Sequence, residues 1–340
     1  MSTADGASAR RHRTRRDRLA AIATGLGPFA RPYRRPLASA LLASLFLTAV
    51  QLAFPWPLKW LVDLTRVGTP ADPVSGALPP GADPVIWLAG GFALLGLAFG
   101  LAEYWQRVAV ARFVVPTVND ARLGLFTRFL ESSRSGERTR DPGDVLTRMV
   151  TDTAKLRVGL KGLLVHLLQH GLFVVGVCVV MLTVDVWLGL GYLIGLALAI
   201  AVALFGTDLT AAASRKRRGS ESRRVGGVLR ATLSGTAVTE KDPGRERSDA
   251  LLTQIKGRTA WAVQGVLAVT ACVVLVLAVR LSESGRLNAG DVALVASYML
   301  MLHYPMMRIG RQITRLGPQL TSAERLTRLV HAPEPQADRP

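Results

Sequence analysis

At 340 residues, with 49% hydrophobic residues and a formal net charge of +18, this chain combines two properties that seldom coincide in a soluble protein. They are compatible when apolar residues lie in lipid and basic residues lie at one membrane face. A nucleic-acid-binding protein would also be basic. Here the arginines flank apolar runs instead of forming one basic domain, so we expect no nucleic-acid partner.

Six apolar segments are long enough to cross a bilayer as helices. A span needs roughly 20 apolar residues, because the hydrocarbon core is about 30 Å thick. Pro55 and Pro57 are expected to kink the first span. From Asp144 the pattern favours one helix that runs into the third span and projects beyond the membrane as a stalk. The six predicted spans, in chain order, are 37–62, 85–102 (extending toward 115), 163–184, 186–205, 261–279 and 292–307.

Two cysteines, Cys178 and Cys272, lie singly inside apolar runs. We expect them to be small buried hydrophobes and not a disulfide or a metal pair.

Lysine and arginine are distributed unequally among the segments that connect the spans. The N-terminal segment, the segments after the second and fourth spans, and the segment after the sixth are rich in arginine, whereas the short segments 63–84, 183–185 and 280–291 are not. Positive residues favour the cytoplasmic side of a membrane. We therefore predict a multi-pass protein of the plasma (inner) membrane, with both termini and both long loops cytoplasmic and residues 1–35 forming a basic tail.

Five short motifs follow one another along the chain. They are 122–126 (RLGLF), 143–152 (GDVLTRMVTD), 233–240 (LSGTAVTE), 285–292 (GRLNAGDV) and 322–326 (SAERL). In this order, over roughly residues 36–330, they resemble the transmembrane domain of exporter-type ABC transporters. The chain departs from that pattern at residues 136–138, where aromatic residues are usual, and at 239–240, where a basic residue is usual.

The resemblance implies an all-α integral membrane fold whose six helices extend into the cytoplasm. It also implies a second transmembrane half, giving a twelve-helix homo- or heterodimer in which helices 4 and 5 are exchanged. A short helix at the tip of each cytoplasmic loop would dock a nucleotide-binding ATPase subunit, the first near 119–130 and the second near 235–241. The residues implied in this coupling are Asn119, Arg122, Leu125, Phe126, Arg128, Gly235, Thr236, Val238 and Glu240.

The motor of such a transporter is not expected in this chain. A P-loop needs a Gly-Lys-Ser or Gly-Lys-Thr sequence to wrap and neutralise phosphate, and neither occurs. Segment 233–237 begins like the ABC signature but lacks its second glycine and its glutamine, so we attribute the similarity to chance. We expect no enzymatic activity and no bound cofactor, with ATP and Mg²⁺ held by the partner, and a short tail at 331–340.

Polar residues at membrane depth are costly and often functional. Glu103 with Arg107 forms either an interfacial i,i+4 pair or a cavity-lining carboxylate that attracts a cationic substrate. Asp208, at the inner end of the fourth span, is expected to pair with Arg215 or a neighbouring helix. Lys59 and Asp63 are expected to be interfacial at the outer end of the first span.

His166 and His170 share one face of the third span, with Gln169 beside them. Their i,i+4 spacing can bind metal, but no carboxylate lies close in sequence, and we predict no metal. Two roles remain for these side chains, namely hydrogen bonding between helices and contact with cargo. The candidate substrate-pathway residues are therefore Glu103, His166, Gln169, His170 and Asp208.

We therefore expect the permease subunit of an ABC transporter, which forms the substrate pathway and couples to a separate ATPase. Two alternatives are a membrane scaffold or remnant that has lost its motor, and a secondary transporter driven by ions. The latter would depend on Glu103 or Asp208 and would carry inverted repeats, which the sequence does not display. Nothing in the residues identifies the substrate or the direction of transport.

Overall fold

The computed structural model describes residues 27–64, 83–134, 142–206, 209 and 243–330. Over these residues the chain is helical apart from short turns and contains no strand. Within a bilayer, a helix satisfies each backbone N–H and C=O inside its own segment, so long apolar runs become helices. After a 3₁₀ turn at Arg31–Tyr33, the helices are α1 (Arg34–Ala53), α2 (Trp56–Leu64), α3 (Pro84–Arg134), α4 (Pro142–Lys161), α5 (His170–Val184), α6 (Val186–Gly206), α7 (Pro243–Glu283) and α8 (Ala289–Val330).

Among the residues that the structure describes, six helical segments are long and apolar enough to cross a membrane, which confirms the six predicted spans and the all-α class. Each observed segment reaches beyond its predicted bounds at one or both ends, because helix formers continue past the apolar core. The observed segments are Gly27–Leu64, Pro84–Gly124, Thr153–Val184, Val186–Gly206, Thr253–Glu283 and Ala289–Gln312.

The first span is broken near its outer end, as its prolines predict. Helix α1 ends at Ala53 and α2 begins at Trp56, with a turn at Phe54 and Pro55 between them. Proline has no N–H to donate and clashes with the preceding helical turn, so a helix interrupts there. The backbone N–H of Lys59 donates to the carbonyl of Pro55 at 3.1 Å and restarts the helical pattern.

Helix α3 has 51 residues and is continuous. At 1.5 Å per residue it is about 75 Å long, more than twice the hydrocarbon thickness. Residues 119–130 belong to this helix, so the separate short coupling helix predicted at that position is not observed. Apolar residues and helix formers follow one another there without a capping signal, which is why the helix continues to Arg134.

The path from α4 to α5 is unbroken from Pro142 to Val184, but it is not one regular α-helix. Eight residues, Gly162–Gln169, wind as a π-helix. At Gly162 an added Cβ would lie 2.1 Å from the side-chain amide nitrogen of Gln312, so that amide packs directly on the glycine. π segments are rare and are frequent at functional sites, and this one contains His166 and Gln169.

The chain divides into two compact units. The first comprises Met1–Gln51, Leu94–Leu172 and Arg311–Pro340. Its core joins α1 to α3 and to the end of α4. It includes two small residues, Ala40 of α1 and Ala109 of α3, which are 1% and 3% exposed. Small side chains allow membrane helices to approach closely, and dispersion then holds them together. The buried members are Ala40, Ala109, Val110, Phe113, Val114, Val118 and Leu156.

The second unit comprises Leu52–Ala93 and Phe173–Gly310, and its core brings together α5, α6, α7 and α8. Two glycines of α6 let it meet α7 closely. A Cβ at Gly195 would lie 2.1 Å from Thr270, and a Cβ at Gly206 would lie 1.9 Å from Thr259. Both cysteines are free, but the prediction that they are buried was wrong, since Cys178 is half-buried and Cys272 is exposed on α7.

Candidate transport pathway and partner-binding surface

A buried polar contact joins α1 to α3 inside the first unit. The Gln106 amide donates to the Ser44 hydroxyl at 3.0 Å, and that hydroxyl donates to the carbonyl of Ala40 at 2.8 Å. Gln106 and Ser44 are 2% and 1% exposed. Neither residue was singled out from the sequence, because serine and a lone glutamine are common in membrane helices. Their mutual hydrogen bond accounts for their burial and stabilises helix packing.

Gln169, in the predicted polar group of the third span, has a hydrogen-bond partner on α1. The side-chain nitrogen of Gln169 donates to the side-chain oxygen of Gln51 at 3.2 Å, and Gln169 is 3% exposed. The rings of His166 and His170 stack with centroids 5.8 Å apart and planes inclined by 25°. The structure thus places the predicted residues together and adds Gln51, whose role required knowing that α1 lies alongside.

A metal at the histidine pair would need further ligands. In the part of the chain that the structure describes, no three residues among His, Cys, Asp and Glu are grouped to hold a metal ion. A structural zinc site commonly uses four such ligands and a catalytic site three. The pair, with its neighbouring amides, is instead suited to exchanging hydrogen bonds between helices or with a bound molecule.

Glu103 pairs with Arg107 on its own helix and not with the histidines. The two side chains are 40% and 73% exposed, and they form the i,i+4 pair that the spacing allowed. Asp208, the remaining candidate of the substrate pathway, lies outside the described residues.

An ionic cluster in the second unit links α2 to the start of α8. The ammonium group of Lys59 contacts the carboxylate of Asp291 and lies 3.6 Å from that of Asp63. The backbone N–H of Gly290 donates to Asp63 at 2.9 Å, and that of Asn288 donates to Asp291 at 3.0 Å. The three charged side chains are only 16–18% exposed. The expectation that Lys59 and Asp63 are merely interfacial missed Asp291.

Gly290 is required at this cluster for reasons of space. A Cβ there would lie 2.4 Å from three atoms of the Asp63 carboxyl group. The glycine therefore lets the carboxylate reach the backbone N–H directly. A second ion pair in the same unit joins Arg286 to Asp185 at 3.0 Å, and Asp185 also accepts the N–H of Trp187 at 2.8 Å.

The predicted coupling residues fall on the distal part of α3 and beyond. Asn119, Arg122 and Phe126 are exposed on that helix. Leu125 and Arg128 also belong to α3, but their side chains lie outside the described part. Gly235, Thr236, Val238 and Glu240 lie in the undescribed segment 210–242, so the second coupling site stays a prediction.

Two contacts from the N-terminal turn reach the same stretch of α3. The Tyr33 hydroxyl donates to the carboxylate of Asp120 at 2.8 Å. A Cβ at Gly124 would lie 3.1 Å from the ring of Phe29, so the ring packs on the glycine. Phe29 and Tyr33 therefore hold this part of α3 on one side, and Leu123 and Phe126 remain exposed.

The helices and their buried polar contacts define a polytopic α-helical membrane protein. A family model for the ABC transporter transmembrane region matches residues 37–238, more than half of the chain. The protein therefore belongs to the transmembrane-domain family of ABC transporters, as the ordered motifs indicated.

Two curated relatives align along nearly the whole chain. An uncharacterized ABC transporter ATP-binding protein, YknU, of Bacillus subtilis strain 168 is 23% identical over 324 residues, which cover 91% of this chain and 53% of the relative. An ATP-dependent lipid A-core flippase of Xanthomonas oryzae pv. oryzae is 24% identical over 325 residues, covering 90% and 52%. The chain thus spans about half the length of the curated relatives it matches.

Proposed function

We propose that this protein is the permease subunit of an ABC transporter, and that its cargo moves by ATP hydrolysis in a separate nucleotide-binding subunit or partner. ATP and Mg²⁺ would be bound there, and this chain would form one half of the pathway. The observation that carries the proposal is the length of α3, which continues well past its membrane-spanning part.

The distal part of α3 offers a surface for that partner. Leu123, Phe126 and Leu130 follow one another at helical spacing and are 63%, 42% and 44% exposed. They lie about 12–22 Å beyond residue 115, the furthest predicted reach of the second span, where lipid no longer covers apolar groups. An apolar stripe in water favours a protein contact, and Arg122 beside it supplies a charge for docking.

Helices α6 and α7 favour the exchanged dimer implied by the family. They pack closely on each other at Gly195 and Gly206, so they are suited to moving as one hairpin. Large apolar side chains remain exposed on α6, among them Ile194 at 70% and Phe205 at 68%. Lipid or a second transmembrane half would cover them. The proposed assembly has twelve spans, both termini in the cytoplasm and the plasma (inner) membrane as its location.

The polar group around the π segment is the part of the pathway that we assign to cargo contact. His166, Gln169 and His170 are concentrated where helix winding is irregular. Glu103 and Asp208 stay in the proposal as charged residues near the inner ends of their spans, although Glu103 already has Arg107 as a partner.

Complex formation tests the proposal. The full chain, purified in mild detergent from its native membrane, should capture an ABC ATPase, and reconstituted vesicles should transport cargo only with ATP. Phe126→Ala should weaken capture about tenfold or more, because an exposed aromatic anchor is lost. Leu101→Ala, a change at an exposed apolar residue within the membrane part of α3, is the control and should leave capture unchanged.

Two results would contradict the proposal. Failure to capture any ATPase from a membrane that contains the native partners would favour a scaffold. Transport in ATP-free vesicles driven by a proton or sodium gradient, and abolished by Glu103→Gln, would favour an ion-driven transporter.

A further inference from the structure

Within the described ranges, Arg308 differs from two other partly buried charged residues, Lys59 and Asp185, which have charged partners. Lys59 has two carboxylates, and Asp185 has Arg286. Arg308 lies in the sixth span, and its Nε is buried without a hydrogen-bond acceptor among the described residues. Its guanidinium carbon lies 4.8 Å from the centre of the Tyr304 ring. One face of the guanidinium is therefore covered, while the described residues bring no anion to its donors.

A buried N–H without an acceptor destabilises the fold, and the cost is larger when the group is charged. Arginine stays charged in proteins, so it cannot relieve this cost by releasing a proton. The arrangement suits a site that is completed by a ligand, and the planar fork of a guanidinium matches two oxygens of a phosphate or carboxylate.

The position of Arg308 points to a lipid as the source of that anion. The sixth span is predicted to end at residue 307, so Arg308 lies at its inner end. This is the depth of the headgroups, at the end predicted to be cytoplasmic. Leu300 and Tyr304 precede it at spacings of four on the same side of α8, and they are 80% and 54% exposed. An acyl chain would lie along them with its phosphate at Arg308.

We propose that Arg308 binds the phosphate of an anionic lipid from the cytoplasmic leaflet, and that a phosphate-bearing amphiphile is the class of cargo that enters here. The lipid assignment rests on the contacts of Arg308, whereas its status as cargo rests on the proposed transport function. The guanidinium donates Nε–H and one terminal N–H to two phosphate oxygens, and Tyr304 keeps the guanidinium plane oriented through a cation–π contact.

Equilibrium binding of defined lipids tests the site without ATP or an ATPase. The purified full chain in dodecyl maltoside is titrated with dioleoyl phosphatidic acid or with dioleoylglycerol, which has the same chains and no phosphate, and bound lipid is counted by native mass spectrometry. We expect phosphatidic acid to bind about tenfold more tightly than dioleoylglycerol. Arg308→Gln should remove that preference, as expected for the loss of a charge-assisted bidentate contact.

Arg258 is the matched control, because it is an exposed arginine three residues outside the predicted inner end of the fifth span at 261. Arg258→Gln should change the affinity for phosphatidic acid less than about twofold. Arg308→Lys keeps the charge but not the fork, and it should weaken binding about threefold. If Arg308→Gln does not fold, the lysine variant decides, and an unchanged affinity there overturns a guanidinium site.

Two further results would overturn the inference of a lipid site. The first is an affinity that Arg308→Gln leaves unchanged, or that Arg258→Gln lowers equally, since only overall charge would then matter. The second is Arg308-dependent binding of inorganic phosphate without binding of the lipid, which would exclude a lipid as the source of the anion. Transport that fails while lipid binding holds would contradict the proposed function and leave this site intact.

Discussion

Lys59 and Asp291 form an ion pair although 232 positions separate them in the chain. The pair fixes α2 against the start of α8 in the second unit, and Asp63 completes it from one helical turn away. Both carboxylates also accept backbone N–H groups, from Gly290 and Asn288. Because the cluster is largely buried, removing one partner would leave an uncompensated charge, and this costs more than breaking an exposed pair.

Removing the cation of this cluster should destabilise the protein. Lys59→Met leaves two carboxylates close together without a counterion, and we expect a loss of about 2 kcal/mol, between the values for exposed and fully buried pairs. Thermal unfolding in detergent measures it. Arg280→Gln breaks the exposed pair with Glu283, where the side chains are 75% and 58% exposed, and should change the melting temperature little. Equal effects of the two variants would show that the buried cluster has no special role.

The close approach of α6 and α7 should depend on glycine at position 195 and not at position 191, one helical turn earlier. Gly195→Val would drive its side chain into Thr270, and we expect a loss of about 1–3 kcal/mol from overpacking. At Gly191 the nearest atom to an added Cβ is 3.6 Å away, an ordinary contact with Val274. Gly191→Ala should therefore be tolerated. Unfolding of both variants in the same detergent tests this, and a tolerated Gly195→Val would refute the tight packing.

Variants of Gln51 and Gln169 separate helix packing from cargo contact. Gln169→Leu leaves the Gln51 amide without its partner, and we expect a loss of about 0.6–2 kcal/mol. Replacing both glutamines by leucine removes that penalty, so stability should recover. If the π segment also contacts cargo, ATP-driven transport by the double variant should stay at least about fivefold below that of the unchanged protein. The reason is that losing one hydrogen bond to cargo, worth about 1 kcal/mol, weakens binding about fivefold.

The control is Ser44→Ala with Gln106→Leu, a pair that removes a buried polar contact not assigned to cargo. Its transport should follow its stability. Normal transport in the leucine pair at Gln51 and Gln169 would show that these amides serve packing alone.

Membrane orientation can be tested with single cysteines in a chain lacking Cys178 and Cys272. Ser284→Cys, in the turn between α7 and α8, should react with a membrane-impermeant maleimide in intact cells. Ser132→Cys, near the end of α3, should react only after permeabilisation. The reason is the excess of arginine on the segments that follow the second and fourth spans. The reverse labelling pattern would place the termini outside.

The helical content and the number of spans were predictable from local sequence because the bilayer leaves so few alternatives. A run of about 20 apolar residues without water must satisfy its backbone internally, whatever its neighbours are. Pro55 marked the break in the first span for an equally local reason, because proline lacks the N–H that a helix interior needs. The π winding at Gly162–Gln169 was not predicted, since no residue pattern distinguishes it from an α-helix, and the packing of Gln312 on Gly162 is visible only in the fold.

The sequence by itself determined the helices, their membrane character and the family, because periodicity, hydropathy and motif order are properties of neighbouring residues. Tertiary structure alone decided which polar groups meet. Lys59 contacts Asp291, Gln51 contacts Gln169, and Arg308 meets a tyrosine ring but no anion among the described residues. These outcomes depend on which helix faces pack together, and the free energy of that packing is spread over residues that lie far apart in the chain.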